Sequence, residues 1–521
     1  MKRVATTIAI CAFVLALPIL AQIQEPVDLD AVYRIKDEGL QRSQVMDVLS
    51  YLTDVHGPRL TGSPNIKAAA EYARDKLISW KLDNVKLEPW GPFGRGWSNE
   101  SIAARVVGPA GFPLIAYPKA WTPGTNGTIT GDVIVANIQR EEDFARFRGQ
   151  LRGKYVLTSN PRDVPAQFQA PGRRYTEEDL ARLSQQPEPR TGNRGGNQPG
   201  GQNQQFTRRR MQFFIDEGVA ALIDNSIGSG GTLFVQSGGS RNASDPPVAP
   251  QVVIAVEQYN RILRMLDRKV PVRIEMNVQN RFHDEDLNAY NVIAEIPGTD
   301  KTDEIVMLGA HFDSWHTGTG ATDNAAGSAV MMEAMRILKT AGLRPRRTVR
   351  LALWTGEEQG LLGSAAYVRE HFGDRNTMQL KPNHSKFSAY FNVDNGTGAI
   401  RGVYLQGNEA VAPIFSKWME PLRNLGMTTL SIRGTGGTDH LSYDDVGLPG
   451  FQFIQDPIEY DSRTHHSNMD VYDRVQGADM IKNSVIVASF VYNAAIREER
   501  LPRKPLPTPR RQQGGGGTGV N

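Results

Sequence analysis

Apolar positions change their spacing several times along the chain, and each change marks an element. From Asn288 onward, short apolar runs alternate with stretches in which apolar residues recur every three or four positions. That alternation is the pattern of strands joined by helices in a mainly parallel sheet. The runs predict strands at Tyr290–Ile296, Ile305–Gly309, Thr348–Trp354, Ser388–Val393, Gly402–Leu405 and Gly450–Ile454. Helices are predicted between or after them at Asn324–Thr340, Glu358–His371, Ala410–Leu425 and Gly477–Arg497. Ahead of this region, Gln22–Tyr33 reads as an extended lead-in, and Ile35–Leu52 has helical spacing through Leu40, Val45, Val48, Leu49 and Leu52. A turn-rich loop at His56–Pro64, a helix at Ile66–Trp80 and a strand at Val85–Trp90 follow.

Near Ala120–Gly131 the composition turns to Pro, Gly and Thr, and a different pattern begins. Strands are predicted at Asp132–Ala136, Gly153–Leu157, Gly218–Ile223 and Pro250–Ala255, then a helix at Val256–Leu266 and a strand at Pro271–Met276. The expected fold class is therefore α/β, a mainly parallel mixed sheet sandwiched by helices, interrupted by an inserted β-rich domain. On this reading residues 22–119 and 284–500 form one discontinuous domain and residues 120–283 the insert. The 185–205 segment is rich in Gly, Asn, Gln, Pro and Arg and reads as a disordered loop, as does the Pro-, Arg- and Gly-rich tail at 501–521. The Arg208-Arg209-Arg210 run on the insert reads as solvated surface.

Composition narrows the classes. Lys and Arg number 59 against 56 Asp and Glu, a near balance that asks for no nucleic acid. Met1-Lys2-Arg3, an apolar Val4–Leu20 core and Ala21 have the form of a signal peptide over residues 1–21, which predicts a secreted or periplasmic protein with no membrane attachment after cleavage. The single cysteine, Cys11, lies inside that segment, so the mature chain offers no disulfide, thiolate metal site or cysteine nucleophile.

Candidate chemistry collects at predicted strand ends. Ile305–Gly309 runs into Ala310-His311-Phe312-Asp313; Ala321-Thr322-Asp323-Asn324 starts a helix; Trp354-Thr355-Gly356 leads into Glu357-Glu358; Asn392-Val393 leads into Asp394-Asn395. His465-His466 follows the last strand, with Asp470 after it. Each has an ordinary reading: Asp323 as a helix cap, Asp394-Asn395-Gly396 as a turn, the paired glutamates as a solvated helix start, the paired histidines as surface. The readings are not independent, because a parallel sheet delivers such ends to one edge, where ligands bind. Two histidines and three carboxylates suit borderline divalent metals, zinc foremost. A carboxylate shared by two ions would hold them roughly 3.5–4 Å apart. A further acid there stays free as a general base, and Asp313 could accept the second N–H of a ligating His311.

The ordered motifs GAHFDSW, ATDNAAG, WTGEEQG, NVDNG and HHSNMD resemble those of the co-catalytic zinc exopeptidases of the aminopeptidase/glutamate-carboxypeptidase group, and of its carboxypeptidase Q branch, whose members are secreted and dipeptidase-like. Gly57–Asn65 and Gly342–Gly360 extend the likeness over most of the mature chain, and the insert resembles a protease-associated domain through GDVIVA, GKYVL and GVAALI. The resemblance implies two Zn2+ per chain, with Asp323 bridging, His311 and Asp394 completing one site, and Glu358 and His466 the other. Chemistry alone does not separate His465 from His466; the family's Asp four residues after its ligand selects His466 through Asp470. Glu357 would be the general base and Asp313 would orient His311. The expected function is hydrolysis of a peptide or dipeptide next to a free terminus by metal-activated water. Alternatives are a single-zinc amidohydrolase or glutaminyl-cyclase-like acyl transferase, or a non-catalytic binding protein. A homodimer, and the roles of Asp439 and His440 in the Gly437–His440 loop, stay open.

Overall fold

The computed structural model describes residues 25–108, 110–185 and 201–510. The expected signal peptide lies outside them, as do residues 186–200 of the expected disordered loop and residues 511–521 of the tail.

Eight strands form the first sheet: β1 (Asp83–Trp90), β2 (Ala289–Ile296), β3 (Lys301–His311), β4 (Arg347–Trp354), β5 (Phe387–Asn392), β6 (Ile400–Tyr404), β7 (Thr429–Ser431) and β8 (Gly450–Gln455). Their order is β1-β2-β4-β3-β5-β8-β6-β7. The central four, β4, β3, β5 and β8, are mutually parallel, while β1, β2 and β6 pair antiparallel to their inner neighbours. Val306, Leu308 and Ala310 of β3 pack on one face with the helices Leu29–Gln41, Ala326–Thr340 and Gly477–Ile496. Ile305 and Met307 pack on the other with Trp354, Tyr367, Tyr390 and Tyr443. Successive side chains of a strand alternate faces, so a strand buried on both reads as the continuous apolar run that predicted it.

The expected α/β class holds, with adjustments at element ends. Helix Leu29–Gln41 begins inside the segment expected to be extended, because Asp28 Oδ1 accepts the Ala31 N–H at 2.9 Å as an N-cap. The helix expected over Ile35–Leu52 breaks between Gln41 and Val45; its apolar spacing continues across the break because both halves cover the same core. Residues 201–205 of the expected loop start helix Gly201–Glu217. The first ten residues of the expected tail are ordered: Leu501 is buried, Arg503 donates to the His384 and Phe387 carbonyls, and Arg510 pairs with Asp445 at 2.9 Å. Side-chain bonds hold this segment without any apolar period, which is why its composition misleads.

A second sheet of eight strands contains strands at 129–135, 155–157, 221–225, 251–254 and 273–283, which overlap those predicted at 132–136, 153–157, 218–223, 250–255 and 271–276. It also takes in Gly96–Gly108, Phe112–Pro113 and Ala116–Pro118, ahead of the expected junction at 120. Its strands 129–135, 155–157, 221–225 and 251–254 are parallel neighbours. Among the described residues no helix is long and apolar enough to cross a membrane.

Candidate metal centre

The parallel strands β4, β3 and β5 end level with one another: His311 pairs with Trp354, and Gly309 with Asn392. His311 is the last residue of β3, and Asp394 lies two residues past β5. Glu357 and Glu358 do not open a helix as expected; helix Leu362–His371 starts later, and both glutamates sit in the intervening turn. Gly356, at φ +76°, makes that turn in the left-handed region open to glycine. Asp323 occupies a second turn, Ala321–Ala325, between β3 and helix Ala326–Thr340. Its side chain does not cap that helix.

His311, Asp323, Glu357, Glu358, Asp394 and His466 line one cavity of about 510 Å3, together with His465, Tyr460 and the Gly436–Thr438 loop. Asp323 stands at its centre. Its Oδ1 is 3.2 Å from His311 Nε2, which is also 3.2 Å from Asp394 Oδ1. Its Oδ2 is 3.3 Å from His466 Nε2, which is 2.9 Å from Glu358 Oε2. The two oxygens of one carboxylate thus face two different sets of partners. His465 stacks beside His466 with its Nε2 farther out, 3.8 Å from Asp323 Oδ2.

Burial sets the electrostatics. It pushes the Glu357 and Glu358 carboxyls well above the usual range, and neighbouring carboxylates add to the shift, Asp394 for Glu357 and Asp323 for Glu358. His311 loses charge stability to burial, but the Asp394 and Glu357 carboxylates outweigh it and hold the imidazole well above its ordinary value. Burial lowers His466. Asp323 is also penalised by burial, yet the His311 hydrogen bond and the surrounding imidazoles bring it below the ordinary value.

Asp313 is buried and sits one layer beneath. His311 Nδ1 lies 3.0 Å from its backbone carbonyl and 3.6 Å from its carboxylate. The carboxylate accepts the N–H groups of Glu357 and Glu358, at 3.2 and 3.3 Å, and the Thr61 hydroxyl at 3.0 Å. Asp313 therefore meets His311 chiefly through its main chain, and its carboxylate ties the glutamate turn to β3. Asp470 accepts the Thr322 and Asp323 N–H groups at 2.6 and 3.1 Å. Asp439 is fully buried, and burial pushes it up to about 7 against the lowering effect of His311 and Ser364.

Three contributors were not among the candidate site residues, although Arg59 and Thr61 fall in the Gly57–Asn65 motif. Arg59, from the turn-rich loop, lies under the cavity floor with four backbone carbonyls around it. Thr61 bridges Asp313 and the Gly356 N–H. Gln236, from the second-sheet unit, meets His466 Nδ1 at 2.9 Å.

The donor set fits a divalent ion. Among the described residues, Asp323 Oδ2 and Glu358 Oε1 are buried without a well-aligned hydrogen bond. The clusters His311–Asp323–Glu358 and Asp323–His465–His466 each bring ligand atoms within 4.8 Å of one another. Nitrogen and carboxylate oxygen without thiolate is the chemistry of zinc and its neighbours.

The same strand ends fall within a sequence match: residues 291–491 fit the model of Peptidase family M28. The chain carries a Peptidase family M28 domain. Around it, the chain is 27% identical to mouse (Mus musculus) carboxypeptidase Q over 480 residues, covering 91% of this chain and 90% of that one. A probable leucine aminopeptidase of Arthroderma otae is 29% identical over 217 residues, 40% of this chain and 58% of the relative. A crystal structure of a peptidase M28 precursor from Shewanella amazonensis superposes with a TM-score of 0.63 at 24% identity, covering 92% of this chain and 98% of that one. The zinc aminopeptidase BSAP of Bacillus subtilis does so with a TM-score of 0.55 at 19% identity, covering 87% and 95%. These two show the fold. With its M28 domain the chain is a peptidase, and all six cavity residues predicted from the sequence lie within the matched segment.

Proposed function

We propose that the chain is an exported exopeptidase with two zinc ions, acting on peptides or dipeptides next to a free terminus. One observation carries this reading: Asp323 meets His311 through Oδ1 and His466 through Oδ2, and those imidazoles in turn meet Asp394 and Glu358. That is the arrangement a bridging carboxylate needs. His311 and Asp394 would hold one ion, His466 and Glu358 the other. The zinc aminopeptidase and carboxypeptidase Q relatives support the metal and the exopeptidase character. The N-terminal pattern of residues 1–21 supports export.

Bound ions would supply Lewis acidity and acidify an attacking water. The rest falls to the chain. Glu357 lines the cavity, and burial holds its proton affinity well above the usual carboxylate range, which suits a general base. It takes a proton from the water as the scissile carbonyl is attacked and returns it to the leaving amine. Asp313, through the Glu357 and Glu358 N–H groups, fixes the backbone from which the base projects.

Glu357→Gln tests the assignment. It should retain both zinc ions by mass-spectrometric metal counting while kcat falls by about 10²–10⁴-fold; Glu358→Gln should lose zinc instead. Full turnover in Glu357→Gln refutes the proposed base. Acetylating the substrate's free amine should abolish cleavage if that amine is the recognised terminus.

A further inference from the structure

We infer that Gln236, a residue of the second-sheet unit, positions His466 as a metal ligand, so that this unit is part of the metal centre. The inference rests on the two-ion reading above. His466 directs Nε2 toward Asp323 and Glu358 and leaves Nδ1 facing away from the carboxylates. The Gln236 side-chain amide meets that Nδ1 through its nitrogen, Nε2, at 2.9 Å. An imidazole that gives Nε2 to a metal carries its proton on Nδ1 and needs an acceptor there, which fixes both tautomer and ring orientation. A half-turn of the amide about its terminal bond exchanges that nitrogen for the oxygen and supplies the acceptor, so a metal at Nε2 selects the turned amide. His311 has its own acceptor within the M28 domain, the Asp313 carbonyl. For His466, Gln236 is the group at Nδ1.

The backbone supports the same role. His466 sits at φ +60°, a conformation that side-chain-bearing residues adopt only when their surroundings impose it. The second-sheet unit imposes it by a short antiparallel zipper. Val235 N–H donates to the His466 carbonyl at 3.2 Å, Phe234 bridges to Ser467, and Asn468 N–H donates to the Leu233 carbonyl at 3.1 Å. Asn468 Oδ1 accepts the Leu233 N–H at 2.7 Å. Gln236 is the next residue along the zipper. Main chain and side chain from one segment thus determine where Nε2 points.

The test uses the full chain and zinc alone. Wild type, Gln236→Met and Gln236→Glu are loaded with zinc and titrated with a chromophoric chelator, with unfolding of the metal-free forms followed in parallel. Gln236→Met keeps length and removes the acceptor; the ion beside His466 should bind ten- to a hundredfold more weakly, while the other ion and the metal-free melting temperature stay unchanged. Gln236→Glu restores an acceptor and should restore affinity. The inference is overturned if Gln236→Met matches wild type in every ion it holds. It is equally overturned if both ions weaken together with a lowered metal-free melting temperature, since that marks a packing role. A wild type that holds fewer than two ions counts against the two-ion reading itself, and is seen before any variant is compared.

Discussion

A single guanidinium organises the floor of the metal cavity. Arg59 is fully buried and donates Nε to the Phe312 carbonyl at 2.8 Å, Nη1 to Leu52 and Thr319 at 3.0 and 2.8 Å, and Nη2 to Gly320 at 2.9 Å. Burial lowers its pKa to about 10, opposed by the carboxylates of Asp470, Asp313, Asp323 and Glu358, so the group stays charged at neutral pH. It is both a splint for the 312–320 loop and a counter-charge beneath the acids. Arg59→Met leaves four carbonyls short of donors and should destabilise the fold by about 3–5 kcal/mol, read as a lower urea midpoint. Arg59→Lys should recover only part, because an ammonium cannot fork across acceptors on different segments. An unchanged midpoint in Arg59→Met would remove the splint from this account. The Gly57–Asn65 motif contains Arg59, but periodicity does not mark its role, since its partners are main-chain groups, three of them more than 250 positions away. His311, Asp323, Glu358 and Asp394 were legible for the opposite reason: each follows or precedes a strongly periodic segment.

Among the elements, β3 does most to place the site, and its limits are steric. Gly309, two residues before His311, lies so close to its neighbours that a Cβ there would stand 2.5 Å from the Ala352 carbonyl oxygen and 2.8 Å from the Tyr390 hydroxyl. That hydroxyl accepts Trp354 Nε1–H at 2.8 Å and donates to Asn392 at 2.5 Å, tying the ends of β4 and β5 together under the cavity. Gly309→Ala must part β3 from β4 or displace Tyr390. A cost of about 1–3 kcal/mol is expected, with weaker zinc retention because His311 moves with its strand; both are read from denaturant unfolding and metal counting on one preparation. Wild-type stability with wild-type zinc content would show that the strands have slack. Strand positions were legible because burial on both faces leaves a continuous apolar run. Helix starts were less so: apolar residues continue from Leu361 into the helix at Leu362 without a break, while the turn before it is set by Gly356 and by hydrogen bonds to Asp313 and Thr61.

At the scale of the whole molecule, the second-sheet unit holds the loop that carries His466 into the charged cavity, and that contact has a thermodynamic consequence. The composition shift near Ala120 announced a second unit, but not that strands 96–118 would enter its sheet, nor that residues 231–236 would return to the metal loop. Long-range pairing of that kind leaves no local period. The cavity brings Glu357, Glu358, Asp323 and Asp394 near one another with Asp439 buried behind them, and raised proton affinities at Glu357, Glu358 and Asp439 record the cost of burial and mutual repulsion. Divalent ions binding the native state would relieve that repulsion and stabilise it by mass action, by about 2.7 kcal/mol per site when free ion exceeds the dissociation constant a hundredfold. Chelation should therefore lower the thermal unfolding temperature, and added zinc should restore it. Because His466 is zipped to the second-sheet unit, the loss should not be confined to the M28 domain. Hydrogen exchange should rise in 463–470 and in 231–236 together, while the β3–β5 core stays protected until global unfolding. Protection lost in the first segment alone would mean that the two units are coupled weakly; no shift in unfolding temperature on chelation would mean that the buried acids are balanced within the protein without metal.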